Sequence, residues 1–449
     1  MVIRMQTSIY KQFWCYTIPT VAAMLVNGLY QVVDGIFIGR YVGADGLAGI
    51  NVAWPVIGSI LGIGMLVGVG TGALVSIRQG EQDTQGAKQI LATGLVLLFA
   101  LTPFVSGILF FFAEEFLYWQ GAEGRVFDLG IQYLHILIGA CAFTLGSIAM
   151  PFLLRNDDSP NLATILMVIG ALINIVLDYL FIAWLDWELM GAALATAIAQ
   201  LVVTGLGLFY FFSAKAKLRL RWSELRLKFA VIPQIFAIGT SSFFMYAYGS
   251  MMVALHNALF SQYGDQLMIG AYAILGYIVT VYYLTAEGIA NGMQPLVSYN
   301  HGARNQENIR KLLKVAMYSA VSVGVVFVIL LNLFPTQFVS VFNKGNTQLV
   351  EYTVLGIRLH MFALALDGFL VVAGAYYQAI NKGSKAMFVM LGNMLIQLPF
   401  LYIMPKLFGV PGIWIAYPLS NIALSAVVIF MLMKDIRRFE NKPAEQAIA

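Results

Sequence analysis

The stretch FWCYTIPTVAAMLVNGLYQVVDGIFI, residues 13–38, decides the fold class of this chain. Only one of its side chains is charged, that of Asp34. A helix of about 20 apolar residues, rising about 1.5 Å per residue, is long enough to cross the hydrocarbon core of a bilayer. The stretch therefore predicts a membrane-spanning helix. An ionisable residue inside such a helix is by default a candidate functional group.

The composition of the whole chain leads to the same conclusion. The sequence has 449 residues, of which 60% are hydrophobic and 11% are charged, and its mean hydropathy is +0.80. Soluble domains contain about 25% charged residues. We therefore expect a polytopic, all-α integral membrane protein. The net charge of +4 comes from loop lysines and arginines and does not indicate nucleic-acid binding.

Apolar runs separated by polar breaks predict twelve transmembrane helices. Most of the connections are short, so neighbouring spans should be antiparallel. The predicted spans are residues 13–38, 47–76, 88–112, 127–154, 160–183, 189–212, 232–260, 267–296, 312–335, 350–380, 386–404 and 411–433.

The loop charges predict the orientation. With both termini in the cytoplasm, the outer side carries only Arg40, Arg125, Lys344, Arg358 and Lys406. The remaining 21 of the 26 Lys and Arg residues then lie on the inner side. This is the positive-inside pattern. The largest inner cluster, SAKAKLRLRWSELRLKFA at residues 213–230, is best interpreted as a linker at the inner leaflet. Nucleic-acid or calmodulin binding by this stretch is the weaker alternative.

The chain repeats itself at a nearly constant spacing. Gly70, Leu74, Val75, Ser76 and Gly80 match Gly292, Leu296, Val297, Ser298 and Gly302 at an offset of 222 residues. Gly191 and Ala195 match Gly412 and Ala416 at an offset of 221 residues. We therefore predict two homologous six-helix bundles: an N-lobe at 1–214, a basic linker at 215–230 and a C-lobe at 231–449. Many secondary transporters are built from such repeats.

Four acids lie inside the predicted spans: Asp34, Asp178, Glu287 and Asp367. Insertion scales put the cost of an Asp at a helix centre at about +2.5 to +3.5 kcal/mol. No Lys or Arg lies comparably deep in these runs. A buried carboxylate without a cationic partner either holds a proton or binds a cation, and both behaviours suit an ion-coupled carrier.

Two of the acids belong to a predicted cation site in the N-lobe. Asn174 precedes Asp178 by four residues, so both side chains face the same way on a helix. Asp34 should lie at a similar depth, and Thr196 near the start of the sixth span offers a hydroxyl. Carboxylate, amide and hydroxyl oxygens together suit Na⁺ or a shared proton. The alternative is that both aspartates are structural and hydrogen-bond to neighbouring helices.

Other residues are candidates for helix bending and for a C-lobe cavity. Pro19, about four turns before Asp34, removes a backbone hydrogen bond and favours a kink, although static packing explains it nearly as well. Asp367 and Glu287 are each expected to face the cavity as a cation or proton site. His256 lies almost at the repeat equivalent of Asp34. A lone histidine is nevertheless more often a structural donor.

The sequence contains no Gly-x-Ser-x-Gly, His-Glu-x-x-His or Gly-x-x-x-x-Gly-Lys motif. It therefore predicts neither an enzyme nor a nucleotide-driven pump, and no cofactor is expected. Transport would be driven by an ion gradient of H⁺ or Na⁺.

These residues resemble the multidrug and toxic compound extrusion (MATE) family, and within it the DinF-like branch. The resemblance covers nearly the whole chain. It is carried by Pro19, VVDGIFIGRYVGADGLAG at 32–49, LMGAALATAIAQ at 189–200 and GMQPLVSYNHGA at 292–303.

The resemblance implies export of cationic or amphipathic drugs by antiport against H⁺ or Na⁺, with two lobes that open alternately to each side. It implies an N-lobe cation site at Asp34, Asn174, Asp178 and Thr196, with Pro19 as the bending residue. Asp367 resembles the tenth-span acid of another branch. That branch also has a seventh-span glutamate, which is missing from MYAYGSMMVALHN at 245–257. Coupling in the N-lobe is therefore favoured.

Three other functions fit the sequence less well. A flippase of lipid-linked precursors on the same fold needs deep cations for pyrophosphate, whereas the deep residues here are acidic. A channel needs neither unpaired acids nor a two-lobe repeat, and a membrane enzyme needs a catalytic set. We expect a monomer in the inner membrane of a prokaryote, with membrane lipid and small-molecule drugs as its partners.

Overall fold

The structure, a computed structural model, describes residues 8–340 and 346–441. Lys344 and the outer limits of the predicted lobes, residues 1 and 449, lie outside the described residues. Every regular element that is described is helical. The α-helices are α1 Ile9–Tyr41, α2 Ala44–Gly80, α3 Thr84–Trp119, α4 Gly124–Gly139, α5 Cys141–Asn156, α6 Pro160–Asp178, α7 Glu188–Phe212, α8 Ile232–Tyr263, α9 Gln266–Gly302, α10 Gln306–Leu333, α11 Pro335–Ser340, α12 Thr347–His360, α13 Leu364–Ala379, α14 Gly383–Phe408 and α15 Val410–Asn441.

These helices form the twelve predicted spans. Among the described residues, nine helices are individually long and apolar enough to cross a membrane. Two further spans are bent pairs: α4 with α5 at 65° and α12 with α13 at 54°. The twelfth is α8, whose 32 residues extend about 48 Å at 1.5 Å per residue. The predicted fold class is confirmed. Most helices run several residues past the apolar runs, because polar residues at their ends continue the helix.

The two halves of the chain repeat each other in local structure. The bent pair is the fourth span of each half. The N-cap residues Asp83 of α3 and Asn305 of α10, 222 residues apart, each accept a hydrogen bond from the backbone N–H three residues later. Gln82 and Arg304, immediately before these caps, both have left-handed backbone φ angles, of 63° and 57°. The sequence repeat therefore corresponds to a structural repeat, while the exact lobe and linker limits stay predictions.

The apolar cores differ between the two membrane faces of the bundle. We name the face that carries residues 213–231 the linker side. Near this side each core combines both halves, since Ile235 and Ile238 of α8 pack into the N-lobe core and Phe13 of α1 packs into the C-lobe core. Toward the opposite side each lobe has its own core. The lobes are thus joined at the linker side and have separate cores at the opposite side.

The repeated glycines Gly191 and Gly412 occupy places where the last helix of each lobe meets the helix before it. A Cβ at Gly412 would lie 2.1 Å from the carbonyl oxygen of Met404. At Gly191 it would lie 3.2 Å from the carbonyl oxygen of Phe181. Only glycine allows the approach at residue 412 without a backbone shift.

We expect Gly412→Ala to lower the stability of the folded protein by about 1–3 kcal/mol, because the added methyl group forces α15 away from α14. The midpoint of thermal unfolding in detergent measures the loss. Gly107→Ala in α3 is the matched control, since a Cβ there meets no atom within 4 Å. In the control, alanine should be neutral or stabilising. Equal midpoints for the two variants would contradict the packing argument.

Candidate functional site

Asp34 and Asp178 are brought together in the half of the N-lobe far from the linker. Asp34 lies on α1 and is half-buried, and Asp178 ends α6 and is fully buried. The chain continues from Asp178 into a π-helical turn, Tyr179–Trp184. Such turns are frequent at functional sites because they change which way a side chain points. The carboxyl groups of the two acids interact with each other.

Neither acid has a compensating cation among the described residues. The Oδ1 atom of Asp34 and the Oδ1 atom of Asp178 are both buried without a hydrogen-bond donor. Two neighbouring carboxylates that are both ionised repel each other, and neither can donate a hydrogen bond. One proton shared between the two groups, or one small cation, removes the repulsion and supplies the missing partner.

Asn174 and Thr196 complete the predicted set. Asn174 is buried one turn before Asp178. In one of the two orientations of its side-chain amide, both the nitrogen and the oxygen make hydrogen bonds. Its Nδ2 then donates to Asp178 Oδ2 at 3.3 Å, and its Oδ1 accepts from Thr196 Oγ1 at 3.3 Å. The amide therefore fixes the position of Asp178 and connects α6 to α7. All four residues predicted for the cation site lie together, while their role stays a prediction.

Two tyrosines beside the acids were missed by the sequence analysis. Tyr30 on α1 and Tyr133 on α4 each interact electrostatically with Asp34 and Asp178. Tyr30 precedes Asp34 by one helical turn, so its spacing in YQVVD was an available signal. Tyr133 comes from a different span. Only the packing of α4 against α2 and α7 brings it to the acids.

Pro19 lies within one continuous helix, α1, on the linker side of Asp34. Thr164 Oγ1 of α6 donates a hydrogen bond to the Pro19 carbonyl oxygen at 2.8 Å. The proline is thus held against the helix that carries Asp178. A bending role for Pro19 stays a prediction.

Asp367 belongs to a separate cluster in the C-lobe, just after the bend between α12 and α13. Tyr283 donates to its Oδ2 at 2.9 Å, and the Asn421 amide donates to Oδ1. Tyr283 also shares a hydrogen bond with Tyr417 at 3.0 Å. The carboxylate is therefore satisfied by neutral donors, unlike the acids of the N-lobe.

Glu287 and His256 each have other neighbours. Glu287 on α9 interacts electrostatically with Arg155, a fully buried guanidinium at the end of α5. Arg155 directly follows the predicted span 127–154, and its charge acts on Glu287 from the N-lobe. His256 Nδ1 pairs with the Met252 carbonyl at 2.8 Å, and its ring stacks on Tyr272 at 4.9 Å. Neither residue joins Asp34 or Asp178.

No group of three or more His, Cys, Asp or Glu side chains within 8–340 and 346–441 is arranged to hold a metal ion. A cation at Asp34 and Asp178 would thus depend on neutral oxygens for its remaining contacts. Asn174 and Thr196 offer such oxygens. The arrangement suits a monovalent ion or a proton better than a tightly held divalent metal.

Comparison with solved structures agrees with the fold. The chain is similar to the MATE multidrug transporter DinF-BH, solved in complex with a ligand, with 29% identity, a TM-score of 0.89 and coverage of 96% of this chain and 97% of that one. It is also similar to a MOP superfamily transporter from Pyrococcus furiosus, with 22% identity, a TM-score of 0.92 and coverage of 97% and 98%.

Curated relatives and a family model extend the similarity to the sequence. The chain is 24% identical to the multidrug export protein MepA of Staphylococcus saprophyticus and 25% identical to MepA of Staphylococcus aureus, over 96% of this chain and 95% of each relative. The MatE family model matches twice, at residues 19–180 and 241–403. Assignment to the DinF-like branch stays a prediction. The chain belongs to the MatE family.

Proposed function

We propose that this protein is a secondary active exporter of cationic and amphipathic compounds, driven by antiport with a monovalent cation. The observation that carries the proposal is the Asp34–Asp178 pair, in which a buried oxygen of each carboxylate has no donor. A pair of this kind changes its charge when it gains or loses one cation. That change is what couples an ion gradient to a conformational cycle.

The arrangement of the lobes supports alternating access. At the linker side the apolar cores contain residues of both lobes, so this side is closed. The acid pair lies in the opposite half of the bundle, where each lobe has its own core. With the cytoplasm on the linker side, as the loop charges favour, this is a state open to the outside. Ion binding from outside would then accompany drug release. A solved structure similar to this one is described as outward-facing.

The substrate class is proposed from charge and from the relatives. The unpaired acids favour positively charged cargo. Both MepA relatives are named multidrug export proteins, and DinF-BH is described as a multidrug transporter. The flippase alternative would need basic groups at the depth of the acid pair. The one fully buried arginine, among the described residues, lies instead at the linker-side end of α5.

Between the two coupling ions we propose the proton, because two interacting carboxyl groups can share one proton. Sodium would have to separate the two groups and gather several oxygens around itself. Exchange of this proton would change the net charge at the junction of α1 and α6.

We expect Asp34→Asn to reduce efflux of ethidium from drug-sensitive cells to the background of cells without the transporter, because an asparagine cannot exchange a proton or neutralise a cation. Fluorescence of preloaded cells at matched membrane abundance measures the rate. Asp45→Asn is the control, since Asp45 is an acid at the very start of α2, outside the pair. Efflux by Asp34→Asn at the wild-type rate would show that Asp34 is structural.

In proteoliposomes, we expect a pH gradient alone to drive ethidium toward the acidic side, because protons then move in the opposite direction through the acid pair. Ethidium is a permanent cation, so pH trapping does not contribute. A Na⁺ gradient alone should give no accumulation. If the Na⁺ gradient drives transport and the pH gradient does not, the shared proton is wrong and Na⁺ is the coupling ion.

A further inference from the structure

At the linker side the two lobes touch through their second spans, backbone against backbone. A Cβ at Gly80 of α2 would lie 2.0 Å from the Tyr299 carbonyl oxygen of α9. A Cβ at Gly302 of α9 would lie 1.9 Å from the Ile77 carbonyl oxygen of α2. These two glycines are repeat equivalents, so the contact has approximate two-fold symmetry. The linker side can open only by separating it.

A buried hydrogen bond between side-chain amides crosses the lobes beside this contact. Asn156 Nδ2, at the end of α5 in the N-lobe, donates to Gln294 Oε1 of α9 in the C-lobe at 3.1 Å. Asn156 is 0% exposed and Gln294 is 3% exposed. An exposed bond from Gln82 to Tyr299 also joins the lobes, but at 3.5 Å it is at the limit of hydrogen-bond length. The amide pair therefore makes the stronger polar contact.

Each lobe holds its own amide in place for this bond. In the N-lobe, Ser76 Oγ donates to Asn156 Oδ1 at 2.7 Å, and Asn156 Nδ2 donates also to the Phe152 carbonyl oxygen at 2.8 Å. In the C-lobe, Gln294 Nε2 donates to Ser298 Oγ at 3.0 Å. The two hydroxyls, at repeat-equivalent positions 76 and 298, orient the amides before the lobes meet.

The amides break the symmetry of the repeat. The equivalent of Gln294 in the N-lobe is Gly72, where a Cβ would lie 2.5 Å from Asn156 Nδ2. Asp158 and Asn381 both have left-handed backbone φ angles and occupy equivalent turns in the two lobes. Aligning the repeats on these two residues places Ala379, which has no side-chain amide, at the position of Asn156. A second, symmetric bond is therefore not built. Gly72 instead leaves the space that the Asn156 amide occupies.

We propose that Asn156 and Gln294 are positioning residues of the transport cycle, whose hydrogen bond between the lobes stabilises the state closed at the linker side. Opening this side breaks the bond and leaves Gln294 Oε1 without its donor, so the bond contributes to the free energy of switching rather than to the folding of either lobe. The inference rests on the proposed alternating access. It concerns residues far from the acid pair and requires neither drug nor coupling ion for its test.

Gln294→Met is the most specific variant, because it removes the side-chain amide while keeping the length of the side chain. Asn156 then still bonds Ser76 and the Phe152 carbonyl oxygen, so the N-lobe keeps its internal contacts. With spin labels at Gln85→Cys and Glu307→Cys, in a background of Cys15→Ser and Cys141→Ala, pulsed paramagnetic resonance reports the distance between the lobes. We expect the ratio of open to closed populations at the linker side to rise about fivefold, as loss of one neutral hydrogen bond predicts.

The matched control lies in the C-lobe. Gln378 Nε2 is buried and bonds Ser241 Oγ and Ser242 Oγ at 2.8 Å each, but both partners belong to the same lobe. Gln378→Met should lower thermal stability without changing the open-to-closed ratio. An unchanged ratio in Gln294→Met, or an equal rise in Gln378→Met, would overturn the proposal.

Gln294→Leu, tested in the same way, guards against an effect particular to methionine. A failure of the drug-efflux test would overturn the proposed function and leave this distance measurement interpretable.

Discussion

A charge inside a membrane-spanning bundle must find a partner within the protein, because no bulk water is there to solvate it. The structure meets this constraint in three ways. Asp367 accepts hydrogen bonds from neutral donors, and Glu287 interacts electrostatically with a buried arginine of the other lobe. Asp34 and Asp178 each keep one buried carboxylate oxygen without a donor. Only this last arrangement is incomplete without an additional cation, and the proposed coupling follows from it.

The two lobes have the same fold but different polar interiors. At the repeat equivalent of Asp34, the C-lobe has His256, whose ring stacks on Tyr272. Asp367 of the C-lobe lies on the helix after the bend and is bound by hydroxyl and amide groups. Duplication therefore supplied two copies of a scaffold, and the divergence of a few polar residues left the unpaired acids in one copy.

The acid pair and the linker-side interface lie at different heights in the bundle, and α1 and α9 connect the two levels. α1 carries Asp34 on one side and packs against α9 along much of its length. α9 carries Gln294 and ends in the glycine contact with α2. A change of charge at Asp34 thus acts on a helix that is itself part of the interface between the lobes. Such coupling needs no separate relay, since the same rigid elements take part in both places.

Local physical patterns were enough to predict the scaffold and to single out the acids. The long apolar runs specify spanning helices because the bilayer allows little else. The spacing of matching glycines shows the duplication. A carboxylate such as Asp34 stands out against an apolar background, and the four-residue spacing of Asn174 and Asp178 is a local helical property.

What only the tertiary structure decided are the contacts between residues far apart in the chain. Tyr133 interacts with the acids, Arg155 acts electrostatically on Glu287 and Asn156 bonds Gln294 because helices from different spans pack at particular rotations. Hydrophobic periodicity fixes which face of a helix is apolar, but it does not fix which neighbour that face meets. The sequence by itself determined the spans, the repeat and the unusual acids. The packing determined which of those acids lack a partner, and on which side the lobes are closed.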